Sequence, residues 1–146
     1  MEKVILYVED EENDVMLLQH AMEVAGLDSP VQVVADGQQA VNYLKGEGKF
    51  SDRQAFPLPG LVLLDLKLPF LPGFEVLRWI RQQAHLPTPV VVLSSSESEA
   101  DIAAAYKLGA NGYVAKPNTL KKLVEVARGI KDFWLILNRV PSEVTV

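Results

Sequence analysis

The chain has no cysteine. That excludes disulfide staples and thiolate metal sites, and it suits a reducing compartment. Its two histidines, His20 and His85, fall in a helical pattern and a proline-rich loop. Neither has a ligand partner at metal-binding spacing. No apolar run approaches the roughly 18 residues that a membrane-spanning helix needs. Met1-Glu2-Lys3 leads into only five apolar residues, too few for a signal-peptide core. Basic residues number 14 against 19 acidic ones, a net charge of −5. This excludes a broad electrostatic hold on nucleic acid. Neither G-x-x-x-x-G-K-[ST] nor G-x-G-x-x-G occurs, so the nucleotide-binding folds lack their phosphate cradle here. The expectation is a soluble cytoplasmic domain with no nucleic-acid or membrane partner.

What is present suffices for one core: 146 residues, 49% of them hydrophobic. Leu61-Val62-Leu63-Leu64 reads as a strand buried on both faces, and it ends on Asp65. Val4 to Val8 is a first buried strand, followed at once by Glu9 and Asp10. Asn13 or Asp14 can cap the helix that carries Val15, Leu18, Ala21, Met22 and Ala25, which Gly26 stops. Val31 to Val34 form a second strand, and Ala40, Val41 and Leu44 mark a short helix. Residues 45–60, with three Gly and two Pro, read as an exposed loop. Beyond Asp65, Pro69 and Pro72-Gly73 force a turn into a helix bearing Phe74, Leu77 and Ile80. Val90 to Leu93 form a fourth strand ending in Ser94-Ser95-Ser96. Ser98 with Asp101, or Ser96 with Glu99, has capping-box spacing for a helix with Ile102, Ala105, Tyr106 and Leu108. Gly112 to Ala115 is a fifth strand leaving through Lys116-Pro117. Thr119 can cap a last helix whose stripe is Leu120, Leu123, Val124, Ala127, Ile130, Trp134 and Leu137.

Five strands alternating with helices predict a parallel sheet with helices on both faces. One such α/β fold takes strand order 2-1-3-4-5 and binds its ligand where the order switches between strands 1 and 3. Here those strands end in Glu9-Asp10 and in Asp65. The fourth and fifth add Ser94 and Lys116 at the same edge. Three carboxylates left alone there would repel and hold raised pKa values. Mg²⁺ resolves this, since it takes one or two carboxylates and leaves positions for phosphate oxygens. An Asp beside Mg²⁺ can attack phosphorus, with Lys116 offsetting charge on the moving group. Taken singly, strand-end acids are turn formers, serines are caps and a lysine is solvated. Their coincidence at one edge is what argues for chemistry. Periodicity alone leaves open which of the three serines reaches the site.

These residues closely resemble the receiver domain of two-component response regulators: Glu9-Asp10, Asp65-Leu66-Lys67-Leu68-Pro69 with Gly73 following, Ser94, and Lys116-Pro117. The match spans residues 3 to 137 and implies a flavodoxin-like (βα)5 receiver fold over 1–137, with 138–146 as a short tail. It implies that Asp65 accepts a phosphoryl group from a partner histidine kinase. Glu9, Asp10, Asp65 and the Lys67 carbonyl would hold Mg²⁺. Ser94 would be the switch hydroxyl, Tyr113 the switch aromatic and Lys116 the phosphoryl contact, with a cis bond expected between Lys116 and Pro117. Val8-Glu9-Asp10 with Asn13-Asp14, the lengthened 45–60 segment and Phe133-Trp134 are similar to stand-alone regulators paired with phytochromes.

Residues 138–146 are too few for an output domain, so the signal must pass by protein contact or onward phosphotransfer. The last helix carries a second apolar ridge, Val126, Phe133, Ile136 and Val140. That predicts a homodimer through this helix, unless the protein's own loop covers the ridge. Two other function classes compete. A Mg²⁺-dependent phosphohydrolase with an Asp nucleophile would want a second Asp two residues after Asp65, where this chain has Lys67. A binding module that is never phosphorylated would not need the full set of acids, hydroxyl and lysine.

Overall fold

The structure is a computed structural model that describes residues 3–141. Five parallel strands form one sheet in the order β2-β1-β3-β4-β5: β1 (Ile5–Val8), β2 (Val31–Val34), β3 (Leu61–Leu64), β4 (Val90–Ser94) and β5 (Gly112–Ala115). Register is continuous across the centre: Val8 lies opposite Leu64, and Leu64 opposite Val92. The three central strands are wholly buried, as unbroken apolar runs require in a sheet covered on both sides.

Side chains of successive strand residues leave by opposite faces. Leu6, Val8, Val62, Leu64, Val90 and Val92 therefore share one core with α2 (Gly37–Lys45), α3 (Gly73–Arg78) and α4 (Glu99–Lys107). Ile5, Tyr7, Leu61, Leu63, Val91 and Leu93 share the other with α1 (Glu12–Val24) and α5 (Leu120–Gly129). Each such side chain is worth roughly 1.5–3 kcal/mol of burial, so the alternation by itself commits the sheet to two helical layers.

Several local expectations change. The first helix begins at Glu12 with Glu11 at its cap position, and no side chain caps it. Asp36 does cap α2, accepting from the Gln39 N–H at 2.8 Å, and Ser98 and Thr119 cap α4 and α5. Residues 45–60 are more than an exposed loop. A 3-10 turn, Gly48–Phe50, buries Phe50 beside Tyr43 and Phe56, with ring centroids 5.1 and 5.2 Å from it. Arg53 pins the segment by donating to the Tyr43, Leu44 and Phe56 carbonyls at 2.8, 2.8 and 3.1 Å. Two of those carbonyls belong to the last turn of α2, which a cation favours.

The expected stripe of the last helix holds only in its middle. Leu123, Val124, Ala127 and Ile130 are buried, whereas Leu120 and Leu137 are exposed. α5 passes into a π-helical segment, Ile130–Leu137, and its wider turn moves later residues off the 3.6-residue phase. In α4 only Ala105 is fully buried, and Tyr106 faces solvent. None of the described helices is long and apolar enough to cross a membrane.

Candidate functional site

The carboxyl ends of β1, β3, β4 and β5 deliver Glu9, Asp65, Ser94 and Lys116 to one edge of the sheet. Val8 and Leu64 are paired, so the residues that follow them, Glu9 and Asp65, emerge side by side. Carboxylate oxygens of Glu9, Asp10 and Asp65 all lie within 4.8 Å of one another. Glu9 and Asp65 are buried and Asp10 is exposed. Burial, with Asp65 alongside, raises the Glu9 pKa to about 7 despite the hydrogen bond from Lys116.

Lys116 is the counter-charge. Its Nζ pairs with Glu9 Oε1, with Asp14 Oδ2 at 2.9 Å and with Asp65 Oδ2 at 3.1 Å. Burial would lower the lysine's pKa, but hydrogen bonds to Glu9 and Asp14 and the charge of Asp65 outweigh it, so the ammonium is held well above its usual range. The Lys67 N–H donates to Asp65 Oδ1 at 3.2 Å, which places the Lys67 backbone at the acceptor. Gly73 closes the following loop, its N–H reaching the Leu66 carbonyl at 3.0 Å. A Cβ at Gly73 would sit 2.2 Å from the Asp65 carbonyl oxygen, so only glycine fits this approach. The phenol of Tyr7 donates to Glu9 Oε1 at 3.3 Å from beneath. Burial and the Glu9 charge raise its pKa, keeping it a neutral donor.

The Lys116–Pro117 bond, expected to be cis, is trans: the described residues contain no cis peptide bond. Trans is the intrinsic preference of an X–Pro bond by about 0.5–1 kcal/mol. Nothing here opposes it, because Lys116 N–H still bonds the Ser94 carbonyl at 2.8 Å and Nζ reaches all three acids.

Ser94 is fully buried opposite Ala115, and its Oγ accepts from the Ser96 N–H at 3.3 Å. The Ser96 hydroxyl donates to Asp101 Oδ2 at 2.6 Å, and the Ser96 carbonyl accepts from the Tyr113 hydroxyl at 2.9 Å. Ser96 thus connects the expected switch hydroxyl to the expected switch aromatic. Val126, Phe133 and Ile136 lie on α5 and its π-helical continuation, with Val126 lining a cavity beside Lys116. From sequence Asp14 is one of two cap candidates with Asn13, and its ion pair with Lys116 has no local sign. The available signal was only that α1 starts directly after β1, which stands its first turn over the strand end.

The carboxylates fit a hard dication. Three acidic oxygens converge, two of the acids are buried, and those two share a single lysine ammonium. Residues 5–128 match the response regulator receiver domain family. The chain is 39% identical over 141 residues to response regulator Rcp1 of Synechocystis sp., covering 96% of this chain and 94% of that protein. It superposes with a TM-score of 0.88 on the phosphorylated cyanobacterial phytochrome response regulator RcpA, at 39% identity, covering 97% of this chain and all of the other. Against the Mn²⁺-bound form of Rcp1 the TM-score is 0.83 at 39% identity, covering 96% and 99% of the two chains. An acid cluster, a lysine, a buried serine at one switch point of a 2-1-3-4-5 sheet and these likenesses agree, and the chain belongs to the family of response regulator receiver domains.

Proposed function

We propose that Asp65 of this receiver domain accepts a phosphoryl group from a histidine kinase of the phytochrome type, in a reaction assisted by Mg²⁺. The carrying observation is the Lys116 ammonium, bonded at 3.1 Å to the same carboxylate that the divalent-cation triad shares. Glu9, Asp10 and Asp65 would hold the cation, with the Lys67 carbonyl completing the set, and the cation would offset charge on the transferring group. An Asp65 oxygen forms the new bond to phosphorus as the donor imidazole departs with its electron pair. Lys116 meets one phosphoryl oxygen and the Ser94 hydroxyl another, which draws Ser94 away from Ser96. The partner reading is supported by the phytochrome regulator among the similar structures. The chain would act as one receiver unit, 1–137, followed by a tail, and pair with a second copy through Val126, Phe133 and Ile136.

Intact mass after incubation with Mg²⁺ and acetyl phosphate tests the reaction. One phosphoryl group should be gained, and none in Asp65→Asn or with Mg²⁺ chelated. A folded, metal-binding wild type that gains nothing would instead favour a receiver fold kept as a contact surface. Turnover of small phosphomonoesters is not expected, since Lys67 stands where a second Asp would serve as general acid.

A further inference from the structure

Asp14 has a carboxylate in the first turn of a helix whose start has no side-chain cap. Unpaired backbone N–H groups are local partners there, yet the side chain reaches instead to Lys116, 102 residues away, at 2.9 Å. Among the described residues it is also the one partner of the Lys116 ammonium outside the acid triad of Glu9, Asp10 and Asp65. That difference matters once a dication is bound. Glu9 and Asp65, if they held a dication, would offer the ammonium less and would set a like charge beside it, so two of the three lysine contacts would weaken together. The Asp14 contact would not, and its carboxylate is favoured at a helix N-terminus.

We propose that Asp14 is a positioning residue for phosphotransfer, holding the Lys116 ammonium over Asp65 while the divalent cation occupies the neighbouring acids. This deepens the phosphoacceptor reading and rests on it. In the transfer from acetyl phosphate, Asp65 Oδ bonds to phosphorus, the bond from phosphorus to the acetyl oxygen breaks, and acetate leaves with that electron pair. Lys116 donates hydrogen bonds throughout and gives up no proton. Asp14 touches neither donor nor phosphorus and acts only through the lysine.

The test compares wild type, Asp14→Asn, Lys116→Gln and the double variant at saturating Mg²⁺. Asparagine at a partly exposed first-turn position keeps the fold. Asp14→Asn should slow phosphorylation by acetyl phosphate about fivefold, the scale of one partly exposed ion pair. In the Lys116→Gln background it should slow it no further. In ¹⁵N-lysine spectra of the Mg²⁺-loaded protein, the Lys116 ammonium should be resolved in wild type and lost to solvent exchange in Asp14→Asn. Equal slowing in both backgrounds, an unchanged or faster rate, or an ammonium signal indifferent to Asp14 would overturn the proposal. A wild type that takes no phosphoryl group refutes the phosphoacceptor reading instead, and the ammonium signal then decides the anchoring alone.

Discussion

Glu9 carries a measurable consequence of its burial. Its pKa is about 7 in the fold against an ordinary 4.5, chiefly because the charged form is desolvated. Between those values the metal-free folded state binds more protons than the unfolded chain. Stability contributed by this group is complete below about pH 4.5 and falls as pH rises toward 7. The melting temperature of wild type relative to Glu9→Gln should therefore decline across that window in chelator. A difference independent of pH would show that Glu9 is not held protonated. Mg²⁺ binding needs the carboxylate, so its apparent affinity should rise over the same window by titration calorimetry. At this scale the site was largely legible: Glu9, Asp10, Asp65 and Lys116 each follow an apolar run, and strand ends are easy to read, whereas Ser94 was separated from Ser95 and Ser96 only by the family resemblance. Asp14 was not legible, because an acid at a helix start has an ordinary local explanation, and its real partner lies at the far end of the chain.

Among the elements, the segment between β3 and α3 is the most constrained. A side chain at Gly73 would meet the Asp65 carbonyl and the Leu66 Cα, both backbone, and neither can swing aside as a side chain would. Gly73→Ala should cost about 1–3 kcal/mol, the range for overpacking, read as a lower urea midpoint. It should also slow phosphorylation, since relief requires moving Asp65 itself. Unchanged kinetics in a destabilised variant would mean that α3 yields instead of the strand. Hydrophobic period found every strand, because both faces of the sheet are covered. It failed where the helix changed pitch: Leu137 follows the 3.6-residue repeat but ends the π-helical segment, where Asn138 N–H bonds Phe133 O five residues back. It failed also in the 45–60 segment, where Phe50 is buried by aromatic neighbours that no periodicity announces.

For the molecule as a whole, the exposed apolar residues are unevenly placed. Phe133 is 48% and Ile136 61% exposed on the π-helical continuation of α5, and Val140 just beyond is exposed too. Phe133 packs edge-on against Trp134 at 5.0 Å, which holds the ring in a defined orientation at the surface. A two-fold pairing of this ridge would bury it. Phe133→Glu should then lower the mass measured by light scattering from dimer to monomer with little change in melting temperature. A wild type already monomeric at high concentration would end the dimer. Strand order and fold class could be read from the alternation of elements together with the position of the acids. The ridge was visible in sequence as a surplus of apolar residues, but its exposure depended on the pitch change.

The sheet order has a further effect, on when the protein becomes competent. Lys116 meets an acceptor 51 residues before it and Asp14 102 residues before it, so it comes to the site by way of long loops closed at an entropic cost. During synthesis, β1 and β3 can pair while β5 is still inside the ribosome, so the acids converge before their lysine arrives. A nascent chain halted before residue 116 would present mutually repelling carboxylates and no cation of its own. Only β5, the last strand in the chain, brings the lysine that completes the charge balance, so the capacity to take a phosphoryl group waits on that strand.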